Sequence, residues 1–233
     1  MTTTRSTSQS ASPALIFDLD GTLVDSVYQH VLAWHEALQS VGIDLSVWRI
    51  HRRIGMSGGL FLRALAREIG RDLPDETLTR LQTMHQKAFV RQIDSIRPLP
   101  GARELLTTLT AARIPWAIAT SGTTETAGGT LEMLAVPKGA PVITRDQVAY
   151  AKPNPDLFLA AAARLAVDIT AAMVVGDSIW DLLAAHRAGT LGVGVLSGGY
   201  GREELERAGA YRVYEDPRDL LLHLDELGVR EPR

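Results

Sequence analysis

Two carboxylates separated by one apolar residue, Asp18-Leu19-Asp20, follow the apolar run Ala14-Leu15-Ile16-Phe17 and precede Gly21-Thr22. Residues two apart on a strand share a face, so both acids can aim at one point if the extended backbone continues through Asp20. Gly21 then lets the chain turn sharply. Two acids aimed at one point repel unless a cation or a proton lies between them. Such a pair suits attack by one carboxylate and proton transfer by the other, beside a hard cation. Asp is also a common turn residue at strand ends, and Asp-x-Asp alone does not separate the two readings.

Three more clusters carry chemistry at the ends of apolar segments. Thr120-Ser121-Gly122 precedes a helical stretch. A hydroxyl with backbone N–H groups at a helix N-terminus makes a phosphate cradle, although an ordinary N-cap looks the same in sequence. Lys152 sits in Ala151-Lys152-Pro153-Asn154-Pro155-Asp156. A lysine is usually a solvated surface charge, but prolines restrict the backbone that presents this one. Asp177 closes the apolar run Val174-Val175-Gly176, and Asp181 follows four residues later. Asp177 fits a Mg²⁺ ligand, while Asp181 is either a helix N-cap or a support behind the ligands.

These clusters need a scaffold that gathers them. The patterning predicts strands over 14–18, 115–120, 141–144, 172–176, 191–196 and 211–214. Helices are predicted over 102–112, 124–134, 155–166, 181–188 and 217–227, with Asn154-Pro155 as N-cap and first helical residue and Gly189 as a C-cap. The alternation implies an α/β fold with a Rossmann-like parallel sheet, whose ligands bind outside the carboxyl ends of the strands. Helical stretches at 27–41, 60–69 and 75–93 interrupt the first crossover, and their apolar stripes require burial. The expected division is a disordered tail at 1–13, an α/β core at 14–25 and 98–233, and an inserted all-helical cap domain at 26–97.

The 233-residue chain has a formal net charge of −3, which gives no global push toward nucleic acid or anionic membrane. It has no cysteine, which excludes disulfides and thiolate metal sites. No apolar run is long enough to span a bilayer. The absence of cysteine fits a reducing compartment, and the expectation is a cytoplasmic protein, a monomer by default.

The string Asp18-Leu19-Asp20-Gly21-Thr22-Leu23-Val24-Asp25-Ser26 resembles the first motif of the haloacid dehalogenase superfamily, whose members are mostly magnesium-dependent phosphatases. Thr120, Lys152 with Pro-x-Pro-Asp, and Gly-Asp-x-x-x-Asp at 176–181 match the second, third and fourth motifs in order. The resemblance implies an enzyme acting on a small phosphorylated metabolite, in which Asp18 forms an aspartyl-phosphate and Asp20 serves as general acid and base. Thr120, Ser121, Gly122 and Lys152 would bind the phosphoryl group. Asp18, Asp177 and the Asp20 carbonyl would hold Mg²⁺, with Asp181 behind them. Bringing a carboxylate onto a phosphate dianion costs about 4 kcal/mol per unit charge pair at ~4 Å and an effective dielectric of ~20, which a cation and a lysine offset. Asp20 is expected to have a raised pKa so that it holds a proton near neutrality.

In the cap, Arg49 to Gly59 joins a basic cluster to a glycine-rich turn. It reads either as a loop lowered onto the site or as a helix with a solvated basic face followed by a turn. By resemblance Gly55, Met56, Ser57 and Gly58 face the leaving group, while Arg53 stands either there or on the solvated basic face. His30 either approaches the site entrance or is a structural histidine. The region also resembles β-phosphoglucomutase, which makes a phosphohexose mutase the alternative. Those mutases place an arginine where this chain has Gly58, and an acidic pair where it has Gly176-Asp177.

Overall fold

A computed structural model describes residues 12–229. The tail expected at 1–13 lies, through residue 11, outside the described residues.

Six strands form one parallel sheet in the order β5-β4-β1-β6-β7-β8. They are β1 (Ala14–Phe17), β4 (Trp116–Ala119), β5 (Val142–Ile143), β6 (Ala172–Gly176), β7 (Leu191–Val195) and β8 (Ala210–Tyr214). Every pairing is parallel, with Phe17 beside Ile118 on one flank and Val175 on the other. β1 reads as an unbroken apolar run because both its faces are covered. Leu15 and Phe17 join the cluster under α5 (Ala102–Ala111), α6 (Thr124–Met133) and α10 (Pro217–Leu222). Ala14 and Ile16 join the cluster under α7 (Asp156–Arg164) and α8 (Ile179–Ala188). Each large side chain fully buried there contributes about 1.5–3 kcal/mol relative to exposure. α9 (Arg202–Arg207) covers the β7–β8 edge through Leu205.

Strand order reverses at β1: β4 and β5 extend the sheet on one side, and β6, β7 and β8 on the other. That switch point opens a crevice at the strands' carboxyl ends. Asp18, Thr120 and Asp177 each follow directly, or within one residue, the last residue of β1, β4 and β6.

The insert leaves after β2 (Val24–Asp25) and returns through β3 (Arg97–Pro98), which pair antiparallel. Between them lie α1 (Val27–Gln39), α2 (Val47–His51), α3 (Gly58–Glu68) and α4 (Asp75–Val90), sharing a core of Trp34, Leu38, Phe61, Leu65 and Leu81. Several expected termini move, and the helix expected over 217–227 divides into α10 and a 3-10 turn at Leu224–Leu227 after His223 leaves helical geometry. α7 starts at Asp156 with Pro155 as its N-cap, one residue later than expected, because Asn154 instead folds back so that its N–H donates to Ala151 O. Asp181 is not an N-cap: Ser178 caps α8, and Asp181 occupies the third helical position. No helix among the described residues is long and apolar enough to cross a membrane.

Candidate active site

The N–H of Asp18 donates to Val175 O at 2.8 Å, so the acid is held in register with β6 as it leaves β1. Gly21 has φ +83°, and a Cβ there would lie 2.6 Å from Asp177 Oδ2. A Cβ on Gly198 would collide with the same carboxylate. Asp177 is thus seated between two backbones that approach closely because neither carries a side chain. Thr22 Oγ1 donates to Asp177 Oδ1 at 3.1 Å.

Lys152 is completely buried. Its ammonium donates to Asp18 Oδ1 and stands 2.8 Å from Asp181 Oδ1. The latter contact is outside hydrogen-bond alignment, so it acts as an ion pair and leaves Oδ1 of Asp181 without an aligned donor. Asp181 Oδ2 accepts from the Ser178 N–H at 3.1 Å and Oγ at 2.5 Å, which fixes the carboxylate's orientation.

Asp18, Asp177 and Asp181 each bring an oxygen within 4.8 Å of the others, and all three are buried. Burial pushes Asp18 up to about 7 against the downward pull of Lys152. Burial, then the charges of Asp181 and Asp18, hold Asp177 well above the ordinary carboxylate value. Burial alone would lower Lys152, but Asp18 and Asp181 outweigh it and raise its affinity for the proton. Fully ionised, three carboxylates against one ammonium would leave two surplus negative charges, which a divalent cation would cancel. An all-oxygen donor set with no histidine or cysteine suits Mg²⁺, Ca²⁺ or Mn²⁺. The residues therefore fit a hard metal ion.

Asp20 faces the insert. Its Oδ1 accepts from Ser26 Oγ at 2.6 Å and lies 3.3 Å from His30 Nε2. Its Oδ2 accepts from Thr120 Oγ1 at 3.3 Å. Burial pushes Asp20 up, but the charge and hydrogen bond of His30, the Ser26 hydroxyl and the Lys152 charge together bring it below its ordinary value. The expected raised pKa is therefore not observed: donors gathered on one oxygen favour the carboxylate form. His30 Nδ1 in turn lies 3.1 Å from His85 Nε2, and the two rings stack on Phe89 and Trp34 at 3.9 and 4.1 Å. His30 is thus both packed and directed at the site.

Thr120 Oγ1 accepts from the Gly122 N–H at 2.9 Å, and Thr123 caps α6, so a hydroxyl and a helix N-terminus face the crevice. Ser121 turns its hydroxyl to the insert, donating to Gly55 O at 3.0 Å. A chamber of about 500 Å³ lies between sheet and insert. Asp18, Asp20, Thr120, Ser121 and Gly122 line it from below, and His30, Arg53, Gly55, Met56, Ser57 and Gly58 from above. Lys152, Asp177 and Asp181 stand behind that wall and do not line it.

The basic cluster resolves into a short helix, α2, followed by a turn. Arg49 and Arg53 both pair with Glu68, so Arg53 borders the chamber with its charge already matched. Gly58 lies in the first turn of α3, where a Cβ would come 2.9 Å from the Trp34 ring. Sequence reading missed Ser26, Thr22, His85, Arg145, Trp180 and Tyr200. His85 had a signal: it falls on the buried stripe of α4 with Leu78, Leu81 and Phe89. Arg145 had none.

The family model described as haloacid dehalogenase-like hydrolase matches residues 13–189. The chain belongs to the haloacid dehalogenase-like hydrolase family. A crystal structure of a hydrolase from Pseudomonas syringae superposes with a TM-score of 0.90 at 55% identity, over 92% of this chain and 98% of that one. A probable phosphatase, IndB, of Dickeya dadantii is 34% identical across 84% of this chain and 86% of its own. A phosphoglycolate phosphatase of Agrobacterium fabrum is 29% identical across 82% of this chain and 84% of its own.

Proposed function

We propose that this phosphatase of the haloacid dehalogenase-like family hydrolyses a small phosphomonoester, such as phosphoglycolate or a sugar phosphate, through a phosphoryl-enzyme at Asp18. The observation that carries the reading is the buried Asp18–Lys152–Asp181 triad beside Asp177, opening on a chamber that Asp20 and Thr120 face. Asp18, Asp177 and the backbone carbonyl of Asp20 would hold Mg²⁺, with Asp181 beside them. The ion supplies positive charge that screens the nucleophile from the phosphoryl oxygens.

Asp18 attacks phosphorus, forming its P–O bond as the bond to the leaving oxygen breaks. Lys152 holds the attacking carboxylate in place and offsets part of the charge that develops. The hydroxyl of Thr120 and the N–H groups at the start of α6 orient the phosphoryl group. Asp20 stands ionised, and the charge of an incoming phosphate raises its proton affinity, so a proton arriving with the substrate can sit on Asp20 and pass to the leaving alkoxide. Ionised again, Asp20 takes a proton from water, which attacks phosphorus and releases inorganic phosphate and the Asp18 carboxylate. Ser26 and His30 hold Asp20 for both transfers.

Hydrolysis is favoured over a mutase cycle because Gly58 stands where the resembled mutases place an arginine, and Arg53, which borders the chamber, is paired with Glu68. A metabolite panel assayed for phosphate release, with and without Mg²⁺, tests the reading. Turnover should require the metal and disappear in Asp18→Asn; a fully active Asp18→Asn enzyme would refute it.

A further inference from the structure

Three arginines border the chamber: Arg53, Arg63 and Arg145. The first two are committed to Glu68 and Asp75. Arg145 differs. Its backbone N–H donates to Gly122 O at 2.9 Å and its Nη1 to Val148 O at 2.7 Å, which anchors it beside the cradle of Thr120 and Gly122. Among the described residues no carboxylate lies within 4.0 Å of its guanidinium. The adjacent Asp146 accepts instead from the Thr124 N–H at 2.7 Å. A guanidinium carries five N–H donors in a planar fork, so most of this one's capacity is uncommitted.

The phosphoryl group already has Thr120 and the α6 N-terminus, and Lys152 is paired with Asp18 and Asp181 behind the chamber wall. Arg145's charge is therefore left for the rest of the substrate, and the chamber's roughly 500 Å³ gives a leaving group room to reach it. We infer that Arg145 anchors a second anionic group on the leaving-group side, so that preferred substrates are phosphomonoesters bearing a carboxylate or a second phosphate. The inference rests on the phosphomonoester reading above and deepens it. Arg145 binds and orients; it takes no part in bond making.

The test compares substrates matched except for charge. One pair is 6-phosphogluconate against sorbitol 6-phosphate; the other is fructose 1,6-bisphosphate against fructose 6-phosphate. In wild type, kcat/KM should favour the charged member of at least one pair about tenfold, chiefly through KM, the scale of one charge-assisted hydrogen bond. Which pair responds identifies carboxylate or phosphate. In Arg145→Gln that ratio should collapse toward one, and Arg145→Lys, which also covers any folding loss in the glutamine variant, should retain part of it. The same ratios are read as affinities by calorimetry in Asp18→Asn with and without Arg145→Gln. If no substrate, p-nitrophenyl phosphate included, releases phosphate, the hydrolase reading fails while calorimetry still judges Arg145. A charge preference that is absent in wild type, or that survives Arg145→Gln unchanged, overturns the assignment.

Discussion

On the sheet side of the chamber, the side chains of Lys152 and Asp181 have 0% exposure and that of Asp18 has 4%. On the insert side, the pair that docks α2 onto the core, Arg52 with Glu204, is 35% and 42% exposed. Both regions use charge, but in opposite regimes. Removing one partner of a buried pair leaves an uncompensated ion, a loss of about 3–5 kcal/mol, whereas an exposed pair contributes roughly 0–1 kcal/mol. The insert's other ties to the core include single hydrogen bonds to backbone oxygens, and beside them Ala33, Ala88, Phe89 and Ile96 pack into the cluster under α5 and α6. Tyr200 and Trp180 donate to Arg52 O at 2.9 and 3.2 Å, and His51 donates to Gly198 O at 2.8 Å. The reacting groups are held by buried ions, whereas the ion pair that ties α2 to the core is partly exposed.

The contrast can be broken from its strong end. Asp18→Asn should lower phosphate release by about a thousandfold or more, with circular dichroism unchanged, since the nucleophile is lost. Lys152→Met should destabilise the fold by about 3–5 kcal/mol in urea titrations, because Asp18 and Asp181 lose their shared cation. His85→Phe keeps the ring against Trp34 but removes the contact to His30. It should lower kcat about tenfold, less than the ~100-fold or more expected for outright loss of an acid–base group, with little change in KM. An unchanged kcat would show that His30 orients Asp20 unaided.

The weak end sharpens the same contrast. Arg52→Ala should change global stability by no more than about 1 kcal/mol, while amide exchange across residues 51–57 becomes faster. The Gly201 N–H and then Arg52 hold Glu204 below its ordinary value of 4.5. Because that pKa is depressed, the pair's contribution is present above pH 4.5 and is lost as pH falls through the lower folded value. Exchange in wild type and Glu204→Gln should therefore differ near neutrality and converge in acid.

What the sequence revealed follows the same division. The sheet strands and the clusters at Asp18, Thr120 and Asp177 were legible because each cluster is local and ends a buried strand, while Lys152, in the loop before α7, was legible from its Pro-x-Pro-Asp run. The five-residue α2 and six-residue α9 were not, since neither is long enough to display a helical period. Arg52 meets Glu204 across 152 positions, and His30 meets His85 across 55, which no local pattern encodes. Asp20 shows the limit most clearly. Its place was readable, but its protonation depends on Ser26 and His30, whose directions are set only when α1 packs onto α4.

Val24 pairs with Pro98 and Asp25 with Arg97, so the chain's departure from the core and its return form a single two-stranded ribbon. A body tethered by one ribbon tilts about it more easily than it slides or twists. Entry of the ester, escape of the alcohol and escape of phosphate would then share one doorway, and the order in which they pass would be set by how long it stays ajar.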